Sequence, residues 1–290
     1  MPWLALALLA AFFLATADAV TKRYLADFTP GEMALVRFGA TAILLLPLLA
    51  FTPWPHPPPA FWGWVAALLP LEILAMWLYM QAIRDSPLSL TLPYLAFTPV
   101  FNILTGQLLL GETVSAAGFA GILLVVSGAW LLNAPDGWPN GRHPILDPFK
   151  AIIRERGARL MLTTAALYSL TSVMGKGALH YVSPLFFGPF YFTLVGMVTA
   201  VLFAPRHAAT WRRLRTRPLA CLAVGLFMAA MLLCHFHAII RVEVAYMIAV
   251  KRTSLLFGMV YGAWLFKEPG LGRHLAAGAL MVAGVLLLAG

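Results

Sequence analysis

The sequence predicts an all-α integral membrane protein: ten transmembrane helices arranged as two inverted five-helix repeats. Three observations lead there. Composition is the first: 61% of the 290 residues are hydrophobic and only 11% charged, where a soluble globular domain carries about 25% charged residues. That much apolar surface does not fit into one water-exposed core, so lipid must be the solvent. The second is a succession of apolar segments, each near the roughly 20 residues needed to cross a bilayer core at about 1.5 Å per residue. The third is an echo between the two halves of the chain.

Breaking the chain at charges, prolines and glycines gives the spans in order. The first half holds Trp3–Tyr24, Glu32–Phe51, Phe61–Ile83, Leu88–Leu110 and Ser115–Asn133. The second holds Ala158–His180, Pro184–Ala204, Arg217–Ile239, Val244–Phe266 and Gly272–Ala289. Pro2 to Asp18 has some likeness to a secretory signal, but it lacks a basic leading segment and its helical pattern runs on to Tyr24, so it reads as the first span. The most polar stretch, 134–157, carries Pro135, Pro139, Pro144 and Pro148 and reads as a linker loop. It separates a first repeat at 1–133 from a second at 158–290.

The repeats share identities in one order. At an offset of 156, Gly106 pairs with Gly262, Gly128 with Gly284, and Glu112 with Glu268; at 154, Lys22 pairs with Lys176 and Pro30 with Pro184. Five spans per repeat is an odd number, so the second repeat enters the membrane upside down. Inverted repeats are the architecture of many secondary transporters, whose substrate sites lie near the midplane where the repeats meet.

Charge supplies the orientation. Of the 20 Lys and Arg, 15 fall in loops after odd-numbered spans, among them Lys22, Arg23, Arg84, Arg142, Arg212 and Arg213. Loops after even-numbered spans hold only Arg241. By the positive-inside rule the odd loops are cytoplasmic and both termini lie outside. The formal charge of +9 is therefore spread over loops between apolar runs and does not signal nucleic acid. Cys221 and Cys234 form no disulfide or zinc motif. No phosphate-binding glycine loop, nucleophile–base pair or metal-ligand spacing points to an enzyme, and no cofactor is expected.

Against this background the sequence resembles the EamA-type ten-helix members of the drug/metabolite transporter superfamily. The resemblance is carried by Pro99-Val100-Phe101-Asn102, Gly106, Leu110-Gly111-Glu112 and the glycines Gly118, Gly121 and Gly128, with a second-half echo at Gly262, Phe266-Lys267-Glu268, Gly278 and Gly284. It implies a central cavity between the two bundles, alternating access, a small polar metabolite as substrate, and a bacterial inner membrane as location. Val250-Lys251-Arg252-Thr253 further resembles the Lys-Arg pair with which the triose-phosphate translocator branch grips phosphate. That branch also has a lysine shortly before the proline of the fourth span; here the position is Leu95, which argues against triose phosphate itself.

The residues within the membrane are the candidate site. Charged groups there cost about 2.5–3.5 kcal/mol each on insertion scales, so they face a cavity or a partner. Lys251 and Arg252 lie too deep for both to reach the interface, and are expected to contact a carboxylate or phosphate, or to staple two helices as an ion pair. Glu72, at the middle of the third span, is a proton-coupling group, a contact for a substrate amine, or the counter-ion of Lys251 or Arg252. Tyr79, Tyr94, Asn102 and Tyr246, with Trp77, Gln81, Tyr168 and Tyr191, would line a polar cavity or pack as membrane aromatics do.

Other intramembrane polar groups have plainer readings. Lys22 and Lys176 are expected to snorkel, with Asp18 beside Lys22. Arg37 is expected to meet Glu32 or a headgroup. His235 and His237 point to different faces and hold no metal. The glycines of the fifth and tenth spans suit close packing and dimerisation. The sequence thus predicts a secondary transporter of small polar metabolites, leaning towards organic anions that bear a carboxylate or phosphate, with an amino-acid or amine exporter and a lipid-linked sugar flippase as alternatives. Its partners would be the substrate, the bilayer and a coupling proton or counter-substrate, in a monomer or homodimer.

Overall fold

With no water in the hydrocarbon, each backbone amide must be satisfied within the protein, and the α-helix does this inside a single segment. The computed structural model describes residues 2–85, 94–132, 155–203, 208–265 and 271–290, and among them every regular element is helical. In chain order these are α1 (Pro2–Tyr24), α2 (Pro30–Ala34), a π-helical stretch (Leu35–Ala40), α3 (Thr41–Phe51), α4 (Pro59–Asp85), α5 (Thr98–Leu110) and α6 (Ala116–Leu132). There follow α7 (Arg156–Leu179), α8 (Pro184–Phe203), α9 (Ala208–Thr216), α10 (Pro218–Ile239), α11 (Val244–Lys251), α12 (Ser254–Leu265) and α13 (Leu271–Ala289).

Among the described residues, six helical segments are long and apolar enough to cross a membrane: Pro2–Tyr24, Gly31–Phe51, Pro59–Tyr79, Pro184–Leu202, Pro218–Ile239 and Val244–Gly262. The shorter apolar helices Thr98–Leu110, Ala116–Leu131 and Ala276–Ala289, with the more polar α7, complete the ten expected spans. The protein is a multi-pass membrane protein of about ten helices.

Three departures from simple spans stand out. The second span begins with Thr29, whose side chain accepts from the Glu32 amide while Glu32 accepts from the Thr29 amide, a capping box with Pro30 in the first turn; it then widens into the π-helical Leu35–Ala40. The ninth span is not the single helix Val244–Phe266 that its apolar run suggests: α11 stops at Lys251 and α12 starts at Ser254. In the fourth span a turn at Ala96–Phe97 precedes α5. Positions 98 and 254, where the helices resume, are 156 apart, the offset of the sequence echo. α9 was invisible as a span because it is short and basic, with Arg213 and Arg215 in its last turn.

The chain divides into two compact units, each assembled from both halves of the sequence. Unit 1 comprises 1–69, 175–242 and 253–269; unit 2 comprises 70–174, 243–252 and 270–290. The first holds α1–α3, α8–α10, α12 and the adjoining ends of α4 and α7. The second holds α5, α6, α11, α13 and the remainder of α4 and α7.

In unit 1, α1 presents a stripe of small residues, Ala7, Ala10, Ala11 and Ala15, all buried, and packs along α10 and α12. Phe12 meets Phe257 edge-on at 5.5 Å, and the Thr16 and Tyr261 hydroxyls are 2.7 Å apart. α3 packs on α8, where a Cβ on Gly196 would lie 2.5 Å from Ala42 Cβ. Ala42 and Gly196 are 154 positions apart, so repeat-equivalent residues touch each other. At the turn after α1, Arg217 forks onto Asp27 at 2.7 and 3.2 Å and also donates to the Tyr24 carbonyl. Arg213 donates to the Asp27 carbonyl at 2.6 Å and lies over Phe28. The loops after the first and seventh spans are thereby tied together on one side of the unit.

Two expectations in this unit are corrected. Arg37, inside the π-helical stretch, pairs with Asp18 at 2.8 Å, while Glu32 is used by the capping box and by Arg213 at 3.7 Å. Lys176 does not reach for the interface: it is only 8% exposed and donates to the Val242 carbonyl at 2.6 Å, next to the C-terminal end of α10, where a cation is favoured.

Unit 2 is organised by α6 against α13. A Cβ on Gly121 would stand 2.9 Å from the Gly284 carbonyl, one on Gly284 2.6 Å from that of Gly121, and one on Gly128 2.5 Å from Met281 Cγ. The glycines of the fifth and tenth spans are thus engaged in packing within the chain, and Gly128 and Gly284 are again repeat mates. Without a hydrophobic drive between helices in lipid, such close approach supplies the association energy. Gly128→Leu should therefore lower stability by about 1–3 kcal/mol through overpacking, read as a drop in thermal unfolding midpoint in detergent. Gly63→Ala, where nothing lies within 4 Å, should leave the midpoint essentially unchanged.

Candidate functional site

The break between α11 and α12 brings charge into the membrane. α11 ends because the backbone at Arg252 turns: its amide bonds the Ile248 and Ala249 carbonyls at 3.2 and 3.0 Å, and the Thr253 carbonyl then receives the Leu256 and Phe257 amides. The Arg252, Leu256 and Phe257 amides thus stay paired across the break, the kind of repair that lets an interrupted helix persist at bilayer depth. Lys251 and Arg252 sit at the C-terminal, electronegative end of α11, where cations are stabilised.

Arg252 reaches α5, against which α11 packs. Its Nη2 donates to Thr98 Oγ1 at 2.8 Å, so the residue at one helix break binds the first residue after the equivalent break in the other repeat. Arg252 Nε is buried and has no hydrogen-bond partner among the described residues. Tyr79 and Tyr168 lie near enough to act on the guanidinium. One turn beyond Thr98, Asn102 is 1% exposed; one of its amide atoms meets Ser172 Oγ at 3.0 Å, while its Nδ2 has no partner among the described residues. A further turn on, Thr105 meets Ser169 at 3.4 Å. Thr98, Asn102 and Thr105 follow i, i+3/i+4 spacing on α5, and Ser169 and Ser172 do the same on α7, so the two faces form a polar seam.

Glu72, on α4, accepts a hydrogen bond from Thr171 and lies within electrostatic reach of Lys251. Of the three readings the sequence left for Glu72, this geometry contains the counter-ion arrangement. Tyr94 is 2% exposed and stacks edge-on with Trp130 at 5.4 Å, in a cluster with Ala82, Ala158 and Met161 against which Tyr79 and Leu95 pack. Tyr246 stands on the opposite end of α11. Its hydroxyl accepts from the Ser115 amide at 2.9 Å and covers Gly118, whose added Cβ would fall 2.1 Å from it. Unit 2 therefore brings Arg252 together with Thr98 and Tyr79, sets Asn102 one turn further along α5, and separately puts Lys251 within reach of Glu72, while Tyr94 lies in the adjoining core and Tyr246 at the start of α6. His237 Nδ1 is 2.8 Å from its own helix's Leu233 carbonyl, and no group of three metal-ligating side chains occurs among the described residues.

Sequence reasoning passed over Thr98, Thr171 and Ser172. The available signal was their helical spacing with Asn102 and Tyr168 in otherwise apolar spans. It also left Glu112 as a motif letter without a task. Gly111, at φ +69°, ends α5 in the left-handed conformation that glycine takes without strain, and its amide bonds Gln107 while the Glu112 amide bonds Gly106. The carboxylate then turns onto α11, accepting the Val244 amide at 2.8 Å, where the N-cap residue Glu243 makes no side-chain bond of its own. Gly106 leaves the room: its Cβ would come to 3.0 Å from the carboxylate. The matching Phe266-Lys267-Glu268 lies outside the described residues.

Residues 1–134 and 155–290 match the EamA-like transporter family. A protein of known crystal structure is similar in fold, with a TM-score of 0.69 over 98% of this chain and 94% of its own at 17% identity, a level that speaks for the fold alone. No curated protein matches the sequence.

The Glu112 bond yields a direct expectation. Glu112→Ala leaves the Val244 amide without its acceptor and should cost about 1–3 kcal/mol, while Glu112→Gln, which keeps an acceptor oxygen, should recover most of it. Thermal unfolding of the two purified variants beside wild type measures the difference.

Proposed function

The chain belongs to the EamA-like transporter family, and on that premise we propose that it carries small organic anions across the membrane by alternating access. Family membership makes it a membrane transporter of small solutes. The preference for anions rests on one observation above the others: Arg252, beside one helix break, bonds Thr98 at the N-terminus of the helix that follows the other break. A helix N-terminus carries partial positive charge, so a cation and a positive dipole end converge inside the bilayer. An anion entering between them relieves both, and interrupted helices with termini aimed at substrate are a recurrent transporter device.

Lys251 and Glu72 complete the reading. Glu72 lies within electrostatic reach of Lys251 and offers it a counter-group when the site is empty, and Lys251 becomes available to an arriving anion when that contact loosens. Alternating exposure of the site would follow from rocking of the repeats. We place the termini on the outer side of a bacterial inner membrane, from the bias of cations to odd-numbered loops.

Two measurements test this. In proteoliposomes, wild type should exchange labelled organic anions, and the double variant Lys251→Ala/Arg252→Ala should lose at least about tenfold of that rate while keeping its elution profile and thermal midpoint; a salt-bridged charge contact is worth roughly 1.5–3 kcal/mol. Retained exchange would sink the assignment of these residues. A reporter enzyme fused after Gly290 should be active only outside the cytoplasm, and cytoplasmic activity would reverse the orientation.

A further inference from the structure

We infer that the Arg252–Thr98–Asn102 cluster is built for a single carboxylate, so that the cargo is a monocarboxylate whose remaining body is uncharged. This deepens the anion-transport reading and rests on it. The guanidinium offers two parallel N–H groups on the edge formed by Nε and Nη2, the edge that matches the two oxygens of a carboxylate. Thr98 occupies the Nη2 position and Nε, buried, has no partner among the described residues. One tooth of the fork is thus held by a neutral hydroxyl and the other is unused. Buried donors in native proteins are almost always satisfied, so an unused one beside a displaceable hydroxyl marks where a ligand oxygen belongs.

Asn102 supplies the next contact. It follows Thr98 by four positions on α5, hence on the same face; it is 1% exposed, and among the described residues its amide oxygen accepts from Ser172 while its Nδ2 has no partner. A carboxylate on the guanidinium edge would therefore find a neutral polar group one helical turn along α5.

Charge then selects among anions. Glu72 lies within electrostatic reach of Lys251 and is placed to offset it, so Arg252 is the cation left to offer its charge to a ligand. A carboxylate brings one negative charge and leaves the site neutral. A phosphate monoester at neutral pH brings close to two, and the surplus would sit in a low-dielectric medium that penalises it. A zwitterion needs a carboxylate for its amine, and Glu72 is already engaged by Thr171 and Lys251. Tyr79 and Tyr168, both near the guanidinium, are uncharged neighbours suited to an uncharged body.

Ligands of matched shape provide the test. Binding of benzoate, phenyl phosphate and phenylalanine, and of the smaller set propionate, propyl phosphate and alanine, is measured by calorimetry on the purified protein. The carboxylate of at least one set should bind about tenfold or more tightly than its phosphate and zwitterion counterparts. Asn102→Leu should weaken it about tenfold, and the near-isosteric Asn102→Asp should abolish it while retaining the wild-type thermal midpoint. Equal or tighter phosphate binding, absence of carboxylate binding in both sets, or wild-type affinity in Asn102→Asp each overturns the inference. If phosphates are bound and exchanged, the monocarboxylate claim falls and anion transport stands. If no organic anion is bound or exchanged, the anion-transport reading falls as well.

Discussion

The constraint on which the rest depends is the backbone amide in hydrocarbon. Leaving an N–H or C=O unpaired there costs several kcal/mol, so a chain that crosses lipid must be helical, and any interruption must be repaired by groups the protein itself supplies. Each interruption here has its repair. The Thr253 carbonyl takes up the amides that open α12. Glu112 reaches from the end of α5 to the first amide of α11. Thr41 bonds back to the Arg37 carbonyl at 2.5 Å beside the π-helical turn, and Lys176 takes the Val242 carbonyl. Glu112, Thr41 and Lys176 are polar side chains that serve the backbone where it departs from regular helix.

The repairs coincide with the charges. Arg252 stands in the break of the ninth span, Arg37 lies within the π-helical stretch of the second and pairs with Asp18, and Thr98 opens the helix after the break in the fourth. A broken helix exposes dipole ends and unpaired carbonyls, and these are the groups that make a buried cation tolerable. Irregular backbone and buried charge therefore stabilise each other, and together they create sites able to recognise a charged solute. π-helical turns and discontinuous spans recur at functional positions for this reason.

Small residues do the complementary work. Where function asks for irregular helices, close contacts elsewhere must hold the scaffold. Ala42 against Gly196 in unit 1 and Gly121 and Gly128 against α13 in unit 2 are such contacts, and they join helices that are counterparts in the two repeats. Repeat mates touching one another is what a local two-fold relation produces, since a residue near the axis necessarily faces its own equivalent.

The spans, the repeat offset and the odd number of helices per half were legible in the sequence because they depend on one-dimensional quantities: the length of an apolar run against bilayer thickness, and identities at a fixed spacing. The local starts and stops were legible too, as in Thr29-Pro30 with Glu32, and Leu110-Gly111 ending α5. That Lys251 and Arg252 lie deep within an apolar run also followed from position alone. The sequence did not disclose that the ninth span breaks beside them, because Val244 to Gly262 is apolar enough to read as one helix and the break is held by partners far along the chain. Nor did it disclose that Arg252 meets Thr98, that Glu72 takes Thr171, or that Arg37 meets Asp18. Membrane thickness and hydrophobicity act on each segment separately, so the length and polarity of each run tell which segments cross; which charges are buried, Lys176 among them, and which partner each finds depend on helices brought side by side from distant parts of the chain, and only the folded molecule shows them.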